Sequence, residues 1–128
     1  MKNKLAFFTL ALMGLILSGC NKEVPMPASA KFSTNIQNNT LGTKQPFTVY
    51  LEDAEGEFLA YFKGDNEGTS WGTGFGIPVD PGADSLSISA YGIEGTFTFT
   101  LVATSYGNWG ETVEQDIQSI DIQVVAEE

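Results

Sequence analysis

The chain has 128 residues, six lysines against sixteen carboxylates, no histidine or arginine, and a formal charge of −10. So acidic a surface repels phosphate backbones, which argues against nucleic acid as a partner. With no imidazole and a single cysteine, Ser-His and Cys-His nucleophile pairs, imidazole or thiolate zinc sites and internal disulfides are all unavailable.

Lys2 and Lys4 precede an apolar run from Leu5 to Leu17, interrupted by Thr9 and closed by Ser18-Gly19-Cys20. A membrane-spanning helix needs roughly 20 consecutive apolar residues, and this run has instead the length of a signal-peptide core. Leu17-Ser18-Gly19-Cys20 resembles the lipobox of bacterial lipoproteins. A plain secretory signal would not require a cysteine directly after small residues. The resemblance implies that residues 1–19 are removed, that the Cys20 sulfur receives a diacylglycerol, and that the new amino group is N-acylated. Cys20 is then an anchor to the membrane, and the chain needs no other cofactor. One buried acyl chain gives reversible attachment of order 10⁴ M⁻¹, whereas two or three hold stably. Asn21 is not the aspartate that commonly retains such proteins at an inner membrane, so the implied address is the outer membrane. Lys22-Glu23 is similar to a fragment of the acidic signal that displays Bacteroidetes-type lipoproteins on the cell surface.

Residues 20–30 hold Pro25 and Pro27 and read as a flexible tether. At about 3.1 Å per residue it spans roughly 30 Å, unless its end joins the first strand. What remains after residue 19 suffices for one domain with a single core and not for two. It keeps all sixteen carboxylates against Lys22, Lys31, Lys44 and Lys63, so the lipid must do the holding at an anionic membrane face.

From residue 31 to 126 the chain alternates in short runs between turn residues, the pattern of half-buried antiparallel strands. Phe47, Val49 and Leu51 alternate with Thr48, Tyr50 and Glu52. Beyond a turn at Asp53-Ala54-Glu55-Gly56, Phe58, Ala60 and Phe62 form the inward row, alternating with Leu59, Tyr61 and Lys63. Leu86, Ile88 and Ala90 alternate with serines, and Phe97, Phe99 and Leu101 with threonines. Ile120, Ile122 and Val124 close the series. Glycines and Asp80-Pro81-Gly82 punctuate these runs, and no window after the leader keeps helical period. The pattern predicts an all-β antiparallel sandwich of about seven strands, with a small barrel as the competing architecture.

Tyr91-Gly92-Ile93-Glu94-Gly95-Thr96-Phe97-Thr98-Phe99-Thr100-Leu101-Val102-Ala103-Thr104 resembles the signature of PKD (polycystic-kidney-disease-like) domains, and a closing strand, Ile117 to Val125, follows it. Phe58 to Asp65 sits where that family has an aromatic strand entering a Gly-Asp-Gly turn, although only Gly64-Asp65 matches that turn. The resemblance implies an immunoglobulin-like sandwich used for adhesion, spacing or ligand binding, without catalysis.

Two glycine-rich segments hold aromatics that the strand pattern leaves over: Trp71 to Phe75, and Tyr106-Gly107-Asn108-Trp109-Gly110. Trp and Tyr offer a flat apolar face with a polar edge, suited to a sugar ring or a protein partner. The alternative role of Trp71 and Trp109 is to plug the ends of the sandwich. An immunoglobulin-like topology would bring Tyr106, Asn108, Trp109 and Glu111 near Asp53 and Glu55, an aromatic-plus-carboxylate site among the end loops. Calcium is a second candidate ligand, at the acidic turns Asp53–Glu55, Asp65–Glu67 and Asp80–Asp84, none of which has EF-hand spacing. No spacing singles out a carboxylate pair for glycoside hydrolysis. The expectation is thus a non-catalytic outer-membrane lipoprotein that binds a glycan or protein partner through end loops. The alternative is a structural subunit of an envelope assembly with no soluble ligand.

Overall fold

The computed structural model describes residues 27–107 and 112–127. Cys20, the leader and most of the tether lie outside them, as do Asn108, Trp109 and Glu111. Ten strands occur among the described residues: β1 (Ser29–Ala30), β2 (Ser33–Thr34), β3 (Thr40–Gly42), β4 (Phe47–Tyr50), β5 (Ala54–Glu55), β6 (Phe58–Phe62), β7 (Ile77–Val79), β8 (Ser85–Ile88), β9 (Gly95–Gly107) and β10 (Thr112–Val125). One 3₁₀ turn, Glu67–Thr69, interrupts them. The excess over seven comes from two-residue strands, too short to leave an alternation in the sequence.

The strands form a five-stranded sheet in the order β3-β10-β9-β6-β7, a three-stranded sheet β2-β4-β8, and the short pair β1-β5. Separate sheets with open edges make a sandwich, not a closed barrel. Pro78 sits in β7, at the edge of the larger sheet, where a missing N–H is tolerated. The chain reaches its other edge, β3, through a tight turn. Asn38 and Asn39 both take positive φ, 54° and 52°, and Thr40 N–H donates to Gln37 C=O at 3.1 Å. Asparagine is among the few residues that tolerate two consecutive left-handed positions, as a type I′ turn demands. β3 then runs parallel to β10, with Val124 opposite Leu41.

The β9–β10 hairpin is the spine, paired from Gly95↔Val124 to Gly107↔Thr112. Residues directly opposite share a face. The inner face therefore carries Phe97, Phe99, Leu101, Ala103 and Ser105, beside Ile122, Ile120, Gln118, Asp116 and Glu114. Phe99 is the hub of the core. Phe32 and Phe47 meet it edge-on at 5.5 and 5.7 Å, and Tyr61 stacks on it at 5.7 Å. Leu41, Val49, Leu101 and Ile122 close around them, all essentially inaccessible. Full burial of each such side chain contributes about 1.5–3 kcal/mol, and no disulfide among the described residues supplements it.

Two expectations are corrected. In β6 the inward row is Leu59 and Tyr61, which stand opposite Ala103 and Leu101, while Phe58, Ala60 and Phe62 lie on the outer face. Both rows of β6 are apolar, so alternation alone could not orient it. The register with β9 did. Second, the domain begins before residue 31. Ser29 and Ala30 pair with Glu55 and Ala54, Ala30 is fully buried, and its N–H donates to the Asp116 carboxylate at 2.8 Å. The inner row ends there in the small residues Ala103 and Ser105, and the extra backbone fills the space they leave. The expected turn at Asp53–Gly56 consequently contains a short strand.

Candidate functional site

The β6–β7 connection, residues 63–76, folds back over the outer face of the larger sheet. Its base is held by Lys63, whose Nζ donates to Ser89 Oγ at 3.1 Å and Ala90 C=O at 3.0 Å and lies 4.9 Å from the Tyr91 ring centre. Tyr91 returns a hydrogen bond from its hydroxyl to Lys63 C=O at 2.8 Å. Burial, and secondarily the Asp65 charge, hold the Tyr91 hydroxyl well above its ordinary pKa, so it stays a donor. Gly64 follows with φ +79°, which L side chains rarely adopt, and the chain passes so close to β9 that a Cβ would collide with Thr98 C=O.

The loop's own polar groups then rigidify it. Thr69 Oγ1 donates to the Asp65 carboxylate, Ser70 Oγ to Asn66 C=O at 2.6 Å, and Thr73 Oγ1 to Glu67 C=O at 2.8 Å. Phe75 N–H closes the loop on Gly68 C=O at 3.0 Å. Its tip presents Trp71, whose ring meets Phe62 edge-on at 5.1 Å and remains 44% exposed. Phe75 is 90% exposed. Beneath Trp71 runs a groove of about 390 Å³ lined by Gly64, Ser70, Trp71, Thr96, Thr98, Thr100 and Ser119. Its floor is the outward hydroxyl row of β9 beside β10. Thr98 Oγ1 donates to Asp121 at 2.7 Å, and Thr100 and Ser119 share a 2.9 Å hydroxyl pair.

Of the anticipated site residues, Trp71 belongs to this sheet-face groove and plugs neither end of the sandwich. Tyr106 is outward on β9, half-exposed, its ring 5.6 Å from Phe58. Asp53 has Lys31 as its partner at 4.0 Å, a solvent-exposed pair that contributes little. Glu55 is an exposed residue of β5. The carboxylate hydrogen-bonded to the described part of the hairpin end is Glu57, which accepts Tyr106 N–H at 3.3 Å while its own N–H donates to Ser105 Oγ. Sequence reasoning missed Phe58, Glu57, Ser119 and Asp121. The Thr96-Thr98-Thr100 alternation was the available signal for the groove floor, since it marks a row of hydroxyls facing away from the core.

Among the described residues no three acidic, cysteine or histidine side chains converge to hold a metal ion; in the third acidic turn Asp80 accepts Gly82 N–H at 2.9 Å. A larger concavity of about 550 Å³ lies at Asn35, Gln37, Asn38, Thr40 and Gln45. Two of its amides are committed to structure, Asn35 Oδ1 accepting Thr48 N–H and Gln45 Oε1 accepting Gly42 N–H, and its lining has no aromatic face. Compared with protein-family models, curated proteins and solved structures, the chain matches none.

Proposed function

We propose that the chain is a non-catalytic module of the bacterial envelope, anchored by lipid on Cys20 at the outer membrane, that captures a glycan or protein ligand. The observation that carries the reading is Trp71, a half-exposed aromatic on a loop cross-tied by its own hydrogen bonds. Exposing an indole has a solvation cost, and its rigid support is what a binding surface requires. Capture runs through the sheet face at Trp71 and not through end loops. The strand orders β3-β10-β9-β6-β7 and β2-β4-β8 support an immunoglobulin-like, PKD-like domain, in which the hairpin strands sit centrally and the opening segment switches sheets.

A second reading, a structural subunit of an envelope assembly, is favoured by a separate apolar strip on the same face. Phe58, Tyr106 and Val113 are exposed there, Tyr106 standing opposite Val113 and its ring 5.6 Å from Phe58.

Both the anchor and the capture are testable in cells expressing the full chain. Mass spectrometry of the mature amino terminus should find a lipidated Cys20, and Cys20→Ser should release the protein from the membrane fraction. A photo-crosslinking amino acid placed at position 75 should form an adduct with an envelope glycan or protein. An unmodified thiol would refute the anchor, and absence of any adduct would refute capture.

A further inference from the structure

The groove beneath Trp71 has a polarity that selects among ligands, and we infer that it is a binding site for a neutral, hydroxyl-rich glycan. The inference rests on the capture reading above and names its ligand class. The Trp71 indole forms one apolar wall, suited to the C–H face of a pyranose ring. The floor is Thr96, Thr98 and Thr100, alternate residues of β9, with Ser119 opposite Thr100 on β10.

The proton inventory of that floor is lopsided. Thr98 spends its proton on Asp121 Oδ1, leaving its own lone pairs as acceptors. Thr100 and Ser119 share one proton between them and so keep one to give. Thr96 adds a hydroxyl and Trp71 an indole N–H, so the lone pairs of the four hydroxyls still outnumber the free protons, and no residue lining the groove is cationic. Lys63, at the base of the same loop, points its ammonium to Ser89, Ala90 and the Tyr91 ring. A phosphate, sulfate or uronate would find no cation in the lining, and the Asp121 charge stands behind the floor at Thr98. A sugar hydroxyl donates to these acceptors without that repulsion. The volume, about 390 Å³, falls in the range of small-ligand sites of ~300–1,000 Å³.

The test uses the full chain, purified in detergent from expressing cells, titrated calorimetrically with oligosaccharides of xylan, mannan and β-glucan and with oligogalacturonate as the acidic counterpart. The expected result is binding of at least one neutral series and none of oligogalacturonate. Trp71→Ala should weaken that binding at least about tenfold, the scale of one lost aromatic contact, while Trp71→Tyr retains most of it. Thr98→Val should weaken it as well, and it keeps the loop intact if Trp71→Ala unfolds the domain. Neutral-glycan binding indifferent to both Trp71→Ala and Thr98→Val would overturn the assignment, as would preference for the acidic series. Failure of every glycan would overturn it too. The capture reading would still stand in that case if the crosslinker at position 75 yields a protein adduct, and would fall with it if no adduct forms.

Discussion

Replacing Tyr91 with phenylalanine isolates one hydroxyl in the core. The ring is stacked between Phe97 at 4.7 Å and Phe47 at 6.2 Å, and both contacts survive the change. What is lost is the 2.8 Å hydrogen bond to Lys63 C=O, the link between the core and the root of the Trp71 loop. A net loss of about 1 kcal/mol follows at neutral pH. The pH dependence is more diagnostic. Burial first, and the Asp65 carboxylate second, raise the native pKa well above the ordinary 10.0. Above pH 10 the unfolded chain therefore releases a proton that the native state keeps. The contribution is fully present below pH 10 and declines above it by about 1.4 kcal/mol per pH unit. Tyr91→Phe lacks this decline, so the wild type's advantage should shrink above pH 10 and vanish by about pH 11. Urea unfolding followed by far-UV circular dichroism at pH 8, 10 and 11 measures it. Parallel stability curves for the two proteins above pH 10, or equal stabilities at pH 8, would refute the argument.

The orientation of β6 makes a paired prediction: Leu59→Ala should cost about 2–5 kcal/mol, and Phe58→Ala, at a residue 59% exposed, under about 1 kcal/mol. Urea midpoints showing the reverse order would mean that β6 is in the other register. Gly64→Ala should cost more than about 2 kcal/mol, because left-handed φ alone penalises an L-residue by roughly 1–2 kcal/mol and the new Cβ would also collide with Thr98 C=O. A midpoint within error of wild type would show that the loop does not pass where described.

Legibility in the sequence differs from strand to strand. Where apolar and polar residues alternate, as in Phe97 to Thr100 or Ile120 to Val124, the sequence alone assigned both strand and face. Burying one row and hydrating the other has no competing solution at period two. The same alternation, with glycine-rich turns and no helical period, determined an all-strand domain with a single core. It failed at β6, where Phe58 to Phe62 offers apolar side chains to both sides. There the facing rows of β9 made the choice. It was also silent on the two-residue strands, of which β1 and β5 pair with each other beside the small residues Ala103 and Ser105.

Composition by itself removed imidazole chemistry and internal disulfides and set an acidic net charge. Trp71 stood out in its glycine-rich segment, yet nothing in the residues around it foretold the threonine row that it faces. Trp71 and Thr98 are far apart in the chain, and only the β6–β9 pairing, with Gly64 letting the loop cross Thr98, lays one over the other. Local patterns record which face of an element avoids water. Which faces come to share a groove depends on register between distant strands, and that is settled only when the sheets assemble.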